Sequence, residues 1–153
     1  MKCEPATSPF GVFGRWIGTV SAAIFIALAT PALAGDAAPK VKVELNKLEA
    51  QGSACQAYLV VENATPEAFT TLSLDLVMFD ADGVIAKRLA VEMAPLRAGK
   101  TSVKVFGIDG APCDGISRIL VNDVLSCAAG GAARKGCIEL IETASRSPAD
   151  LIN

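Results

Sequence analysis

Leu72-Ser73-Leu74-Asp75-Leu76-Val77-Met78-Phe79-Asp80-Ala81-Asp82-Gly83-Val84-Ile85 decides how this chain is read. Leu72, Leu74, Leu76 and Met78 recur at every second position, which places them on one face of a strand. A helix would need apolar residues three or four apart, and that spacing is absent here. Asp80 to Gly83 then reverses the chain. The Asp side chains favour local hydrogen bonding, and Gly83 is free to take positive φ. The pattern predicts strands over 69–79 and 84–92, joined by a tight hairpin.

The same two-residue period extends outward in both directions. Val41, Val43 and Leu45 alternate with Lys42, Glu44 and Asn46, a first strand with one wet face. After the turn Gln51-Gly52-Ser53, a second strand over 55–62 places Cys55, Ala57, Leu59 and Val61 on one side. Residues 63–67 form a loop punctuated by Pro66. Downstream, the polar turn 95–100 leads to a fifth strand over 101–108, and a loop over 109–115 holds Pro112 and Cys113. A long sixth strand covers 116–127, a Gly/Ala-rich connection follows over 128–136, and a seventh strand covers 137–142. Ser147-Pro148-Ala149-Asp150 reads as one helical turn in a tail over 143–153, with Ser147 as N-cap and Pro148 first. Seven short, regularly spaced strands over 41–142 predict an all-β fold, an immunoglobulin-like β-sandwich.

The N-terminal part has a different composition. Lys2 and Arg15 give a sparse positive region, followed by an apolar run from Trp16 to Ala29. Thr30-Pro31 breaks that run, and Ala32-Leu33-Ala34 supplies the small residues a signal peptidase accommodates. At ~14 residues the run is shorter than the ~20 of a transmembrane helix. Residues 1–34 are therefore expected to be a cleaved signal peptide, and 35–40 a short leader; the rival is an uncleaved anchor. A lone Arg15 argues against a twin-arginine signal. Cys3 precedes the apolar segment, whereas a lipidated cysteine would follow it. Removing the first 34 of 153 residues leaves 119, with 12 basic against 15 acidic residues, a net −3. That mildly acidic surface offers no basic field for nucleic acid or anionic lipid.

The mature chain keeps Cys55, Cys113, Cys127 and Cys137. In an oxidising compartment an even set of this kind reads as two disulfides. Zinc is the competitor, but the chain has no histidine and no Cys-x-x-Cys pair. If consecutive strands alternate in direction, Cys55 and Cys113 fall at one end of the sandwich, Cys127 and Cys137 at the other. A Cys113–Cys127 bridge would have to close ~40 Å of extended strand to the ~5.5 Å between bridged Cα atoms. The predicted pairs are Cys55–Cys113 and Cys127–Cys137.

The run Leu74 to Ile85, followed by Leu96-Arg97-Ala98-Gly99-Lys100-Thr101, resembles the FxLYD-type immunoglobulin-like domains of exported bacterial proteins. Met78-Phe79-Asp80 stands where that family has Leu-Tyr-Asp, and Val61-Glu62-Asn63 fits its apolar strand ending in Asn. The resemblance covers about residues 41–108; the four cysteines and the long sixth strand depart from it. It implies a non-enzymatic module.

Candidate chemistry is sparse. Without histidine the common serine triad is unattainable, which leaves Ser102 with Lys104 or Lys100 as a nominal dyad. Asp80 with Asp82, and Asp109 with Asp114, could be paired carboxylates of a small hydrolase, yet turns select Asp for local bonding. Asp80-x-Asp82-Gly83 imitates the start of a calcium loop but lacks the later ligands. Asn63-Ala64-Thr65 is a formal glycosylation acceptor, disfavoured by Pro66. Asn122-Asp123 interrupts an apolar strand and must be paired, at an edge or bulged.

The clearest clue is apolar surface. With Leu74, Leu76 and Met78 inward, Val77 and Phe79 point outward, and the neighbouring sixth strand brings Leu120 beside them. Val77, Phe79 and Leu120 are the predicted partner-binding patch, unless the tail with Leu151 and Ile152 covers it. The expected protein is a secreted or periplasmic interaction module, exported by the general route. It would serve an unknown protein partner in the cell envelope, with no catalytic residue, metal or cofactor and no stable membrane insertion. The alternatives are a carboxylate hydrolase and an envelope structural protein held by its uncleaved leader.

Overall fold

The computed structural model describes residues 38–153, so the expected signal peptide and its cleavage point lie outside the described residues. Nine strands occur there: β1 Val41–Gln51, β2 Ala54–Asn63, β3 Phe69–Phe79, β4 Ile85–Glu92, β5 Lys100–Ile108, β6 Arg118–Ala129, β7 Ala132–Ala133, β8 Ile141–Ser145 and β9 Asp150–Ile152. One sheet has the order β5-β2-β1-β8. The other has the order β4-β3-β6-β7, with β9 also pairing to β6. The two pack as an all-β immunoglobulin-like sandwich.

Alternation explains the core. Val41, Val43, Leu45, Ala57, Leu59 and Val61 from the first sheet face Leu72, Leu74, Leu76, Met78, Ile119 and Val121 from the second, each at most 2% exposed. The hairpin forms as its residues dictate. Asp80 Oδ1 accepts from the backbone N of Asp82 (3.0 Å) and of Val84 (2.8 Å), while Gly83 sits at φ 78°. Both predicted disulfides are present: Cys55–Cys113 with Cα atoms 4.8 Å apart, and Cys127–Cys137 with Cα atoms 6.5 Å apart.

The C-terminal part differs from expectation. Cys137–Leu140 is a 3₁₀ turn, and the following strand is Ile141–Ser145. Gly136 at φ 71° and the bridge to Cys127 bend the chain there, and Ile138 and Leu140 pack on the core from a turn. Ser147-Pro148 makes no helical turn. Ser145 Oγ holds that loop instead, donating to Ala149 O (2.6 Å) and accepting from Ser147 N (3.1 Å). The residues read as a tail belong to the sandwich: β8 pairs parallel with β1, and β9 pairs parallel with β6.

Asn63 ties the far end together. It is fully buried; its Nδ2 donates to Glu67 O (2.8 Å) and Arg97 O (3.2 Å), and its Oδ1 accepts from Thr65 N and Oγ1. A buried, doubly engaged amide nitrogen cannot act as a glycan acceptor in the folded domain.

Candidate functional site

Val77, Phe79 and Leu120 come together on the outer face of the β4-β3-β6 sheet. Val77 stands opposite Arg88 on β4 and Leu120 on β6, and Phe79 stands opposite Ile85 and Arg118. Val77 points outward as predicted but is only 6% exposed, whereas Phe79 and Leu120 are half-buried. The cover has a cause in the register. The Arg88 side chain starts beside Val77 and reaches along the face to Asp75, two residues away. Its Nε and Nη2 donate to the two carboxylate oxygens at 2.8 and 2.7 Å. The tail does not cover the patch: Leu151 turns into the core, and Ile152 lies beside Leu120, 39% exposed. Ile85, 61% exposed, flanks the other side. The apolar strip therefore runs Ile85–Phe79–Leu120–Ile152, and two of its members emerge only from strand pairing.

The polar part of this face is ordered. Asp75 is 2% exposed and accepts a third bond, from Asn122 Nδ2 at 2.7 Å. Asn122 lies at a bulge between the pairs Asp75↔Asp123 and Leu76↔Val121, which is how this polar residue fits inside a strand. The Arg118 guanidinium lies over the Phe79 ring, 4.8 Å from its centroid.

A solved structure of IrmA from Escherichia coli resembles this domain with a TM-score of 0.51. Identity is 11%, and the match covers 69% of this chain and 91% of that one. The likeness is one of fold alone. No family model and no curated protein matches the chain.

The remaining candidate residues fall elsewhere. Asp80 is engaged by its own turn, as above. Asp114 sits in the 3₁₀ turn Cys113–Gly115, on the same loop as Asp109. It borders a groove of about 460 Å³ lined by Leu48, Ile116, Ser117 and Pro148. Lys100 and Ser102 line a separate groove of about 260 Å³ with Pro95 and Arg97. Lys104 instead donates to Ala94 O at 3.1 Å. Among the described residues no group of three or more acidic or cysteine side chains is placed to hold a metal ion.

The Asp75 cluster gives a pH signature. Its carboxyl is held below the ordinary carboxylate range, first by the Arg88 hydrogen bonds, then by Asn122 and the Arg88 charge, against burial acting the other way. A folded-state value below the unfolded one stabilises fully above about pH 4 and is lost as pH falls through the lower value. Glu44, bonded by Arg146, and Glu49, bonded by Tyr58, shift in the same direction. In urea unfolding measured from about pH 5 to about pH 2, the wild type is expected to lose stability more steeply than Asp75→Asn. Equal slopes would show that Asp75 is not part of the acid response.

Proposed function

We propose that this chain is an exported, non-enzymatic interaction module that engages a protein partner of the cell envelope through the outer face of the β4-β3-β6-β9 sheet. The observation that carries this reading is the strip Ile85–Phe79–Leu120–Ile152 on the outer face of the sheet. Strand pairing brings separate chain segments together there and leaves aliphatic groups in water at Ile85 and Ile152. Arg88, bonded to Asp75, and Arg118, stacked on the Phe79 ring, stand beside it, a pairing of arginine with apolar groups typical of protein contact sites. Two disulfides and the leader-like sequence before residue 35 support a periplasmic or secreted location. The resemblance to FxLYD-type domains, for its part, implies a non-enzymatic module.

Phe79→Asp with Leu120→Asp is expected to abolish co-purification of the native partner from envelope extracts while leaving thermal unfolding cooperative. Val105→Asp, on the outer face of the other sheet, serves as the control. Unchanged partner recovery in the double variant would sink the sheet-face reading. Export is tested separately: the first residue of the exported protein is expected at Gly35 or Asp36.

A further inference from the structure

Residues 130–136 are exposed without a break, and within them Arg134 and Lys135 stand side by side. The two-residue strand β7 pairs with Ala128 and Ala129, and Arg134 N donates to Cys127 O at 3.0 Å. There the ladder ends. Lys135 lies in neither β7 nor the turn Cys137–Leu140, and its N–H and carbonyl enter no main-chain hydrogen bond among the described residues. Two residues further on, the Cys127–Cys137 bridge closes the loop. We propose that the Lys135–Gly136 peptide bond is a processing site for a trypsin-like serine protease, and that the Cys127–Cys137 bridge holds the two resulting chains together.

Such an enzyme seats a lysine or arginine in a pocket with an acidic floor, and it draws on exposed loops whose backbone is free to follow. Lys135 makes no ion pair among the described residues, whereas its neighbour Arg134 pairs with Glu67. Asp123 and Glu139 stand nearby, one on the same groove wall and one beside Gly136, but neither is within ion-pair distance of Lys135.

The remaining basic residues are tied down. Seven of them lie within strands: Lys42, Lys47, Lys87, Arg88, Lys100, Lys104 and Arg118. Outside strands, Lys40 O accepts from Ala64 N at 3.0 Å, and Arg97 O accepts from Asn63 Nδ2 at 3.2 Å. Arg146 N donates to Leu45 O at 2.8 Å, and its Nε donates to Glu44 at 2.7 Å.

Hydrolysis adds one water across the bond, leaving a carboxylate on Lys135 and an amine on Gly136. The 18 residues 136–153 carry β8 and β9, which pair with β1 and β6. Cys137 is the second residue of that new chain, so the bridge to Cys127 keeps it on the body. Both sheets stay complete, and Ile152 keeps its place beside Leu120.

The test treats the oxidised, exported protein with trypsin at a limiting ratio and reads the first product by intact mass and by gels with and without reductant. Expected is a gain of one water in a single band, which reduction splits to give a peptide of residues 136–153. Lys135→Gln is expected to slow this cut at least about tenfold, and Arg134→Gln to leave it in place. Measured against a small peptide substrate, about 1 M urea should change the rate less than about twofold, because only the loop opens. Cutting through global unfolding would instead speed up roughly tenfold. That urea response, an uncut protein, a first cut after any other residue, or a Lys135→Gln variant cut as fast as the wild type would overturn the proposal. So would release of the 136–153 chain before reduction.

Discussion

Replacing Cys55 and Cys113 together by alanine is expected to lower the unfolding free energy by about 4 kcal/mol, a large share of the roughly 5–15 kcal/mol typical of a folded domain. The bridge closes a 58-residue separation, and in the chain-entropy account the loss grows with the logarithm of that length. It also anchors the 3₁₀ turn Cys113–Gly115 to the start of β2, at a site where Cys55 is fully buried. The same replacement at Cys127 and Cys137, 10 residues apart, is expected to cost about 3 kcal/mol. Urea unfolding of both variants checks the order. A larger loss at Cys127–Cys137 would mean that local packing outweighs loop closure.

Asn63→Asp should destabilise by about 3 kcal/mol, although the two side chains have almost the same shape. The asparagine donates to two main-chain carbonyls, Glu67 O and Arg97 O, that belong to different loops. An aspartate offers them no donor when ionised and brings a charge into a site with no solvent access. When protonated it restores at most one of the two bonds. The loss should therefore shrink toward low pH, opposite in sign to the Asp75 response. Denaturant unfolding at about pH 7 and about pH 4 measures this. A pH-independent loss would show that water enters and solvates the site.

Much of the sandwich was legible because its strands are amphipathic in the simplest way. Leu72 to Met78 alternate without interruption, and Asp80 to Gly83 can hardly do anything but turn. The disulfide pairing followed from strand direction alone. Cys137 to Leu140 was misread because Ile138 and Leu140, two residues apart, fit a strand as well as a short turn. The parallel pairings of β8 with β1 and of β9 with β6 were invisible, since contacts 100 and 32 residues apart along the chain leave no local signal. At the candidate face, the outward direction of Val77 and Phe79 was readable, but the cover over Val77 depends on where Arg88 lands across the hairpin. Ile85 and Ile152 joined the strip only through pairing, and Asn63 read as the end of a strand, not as a buried junction.

The parallel alignment of β8 with β1 also bears on how the domain would behave under tension. Five residue pairs, Val41↔Ile141 to Leu45↔Ser145, lie side by side with both strands pointing the same way. Pulling on residues before β1 and after β9 in opposite directions would drag these strands lengthwise past each other. All the rungs would be loaded at once, whereas a hairpin peels one rung at a time. Once they yield, the Cys55–Cys113 bridge keeps its 58-residue separation from paying out, withholding roughly 200 Å of contour length. The domain is built to give way late and lengthen little.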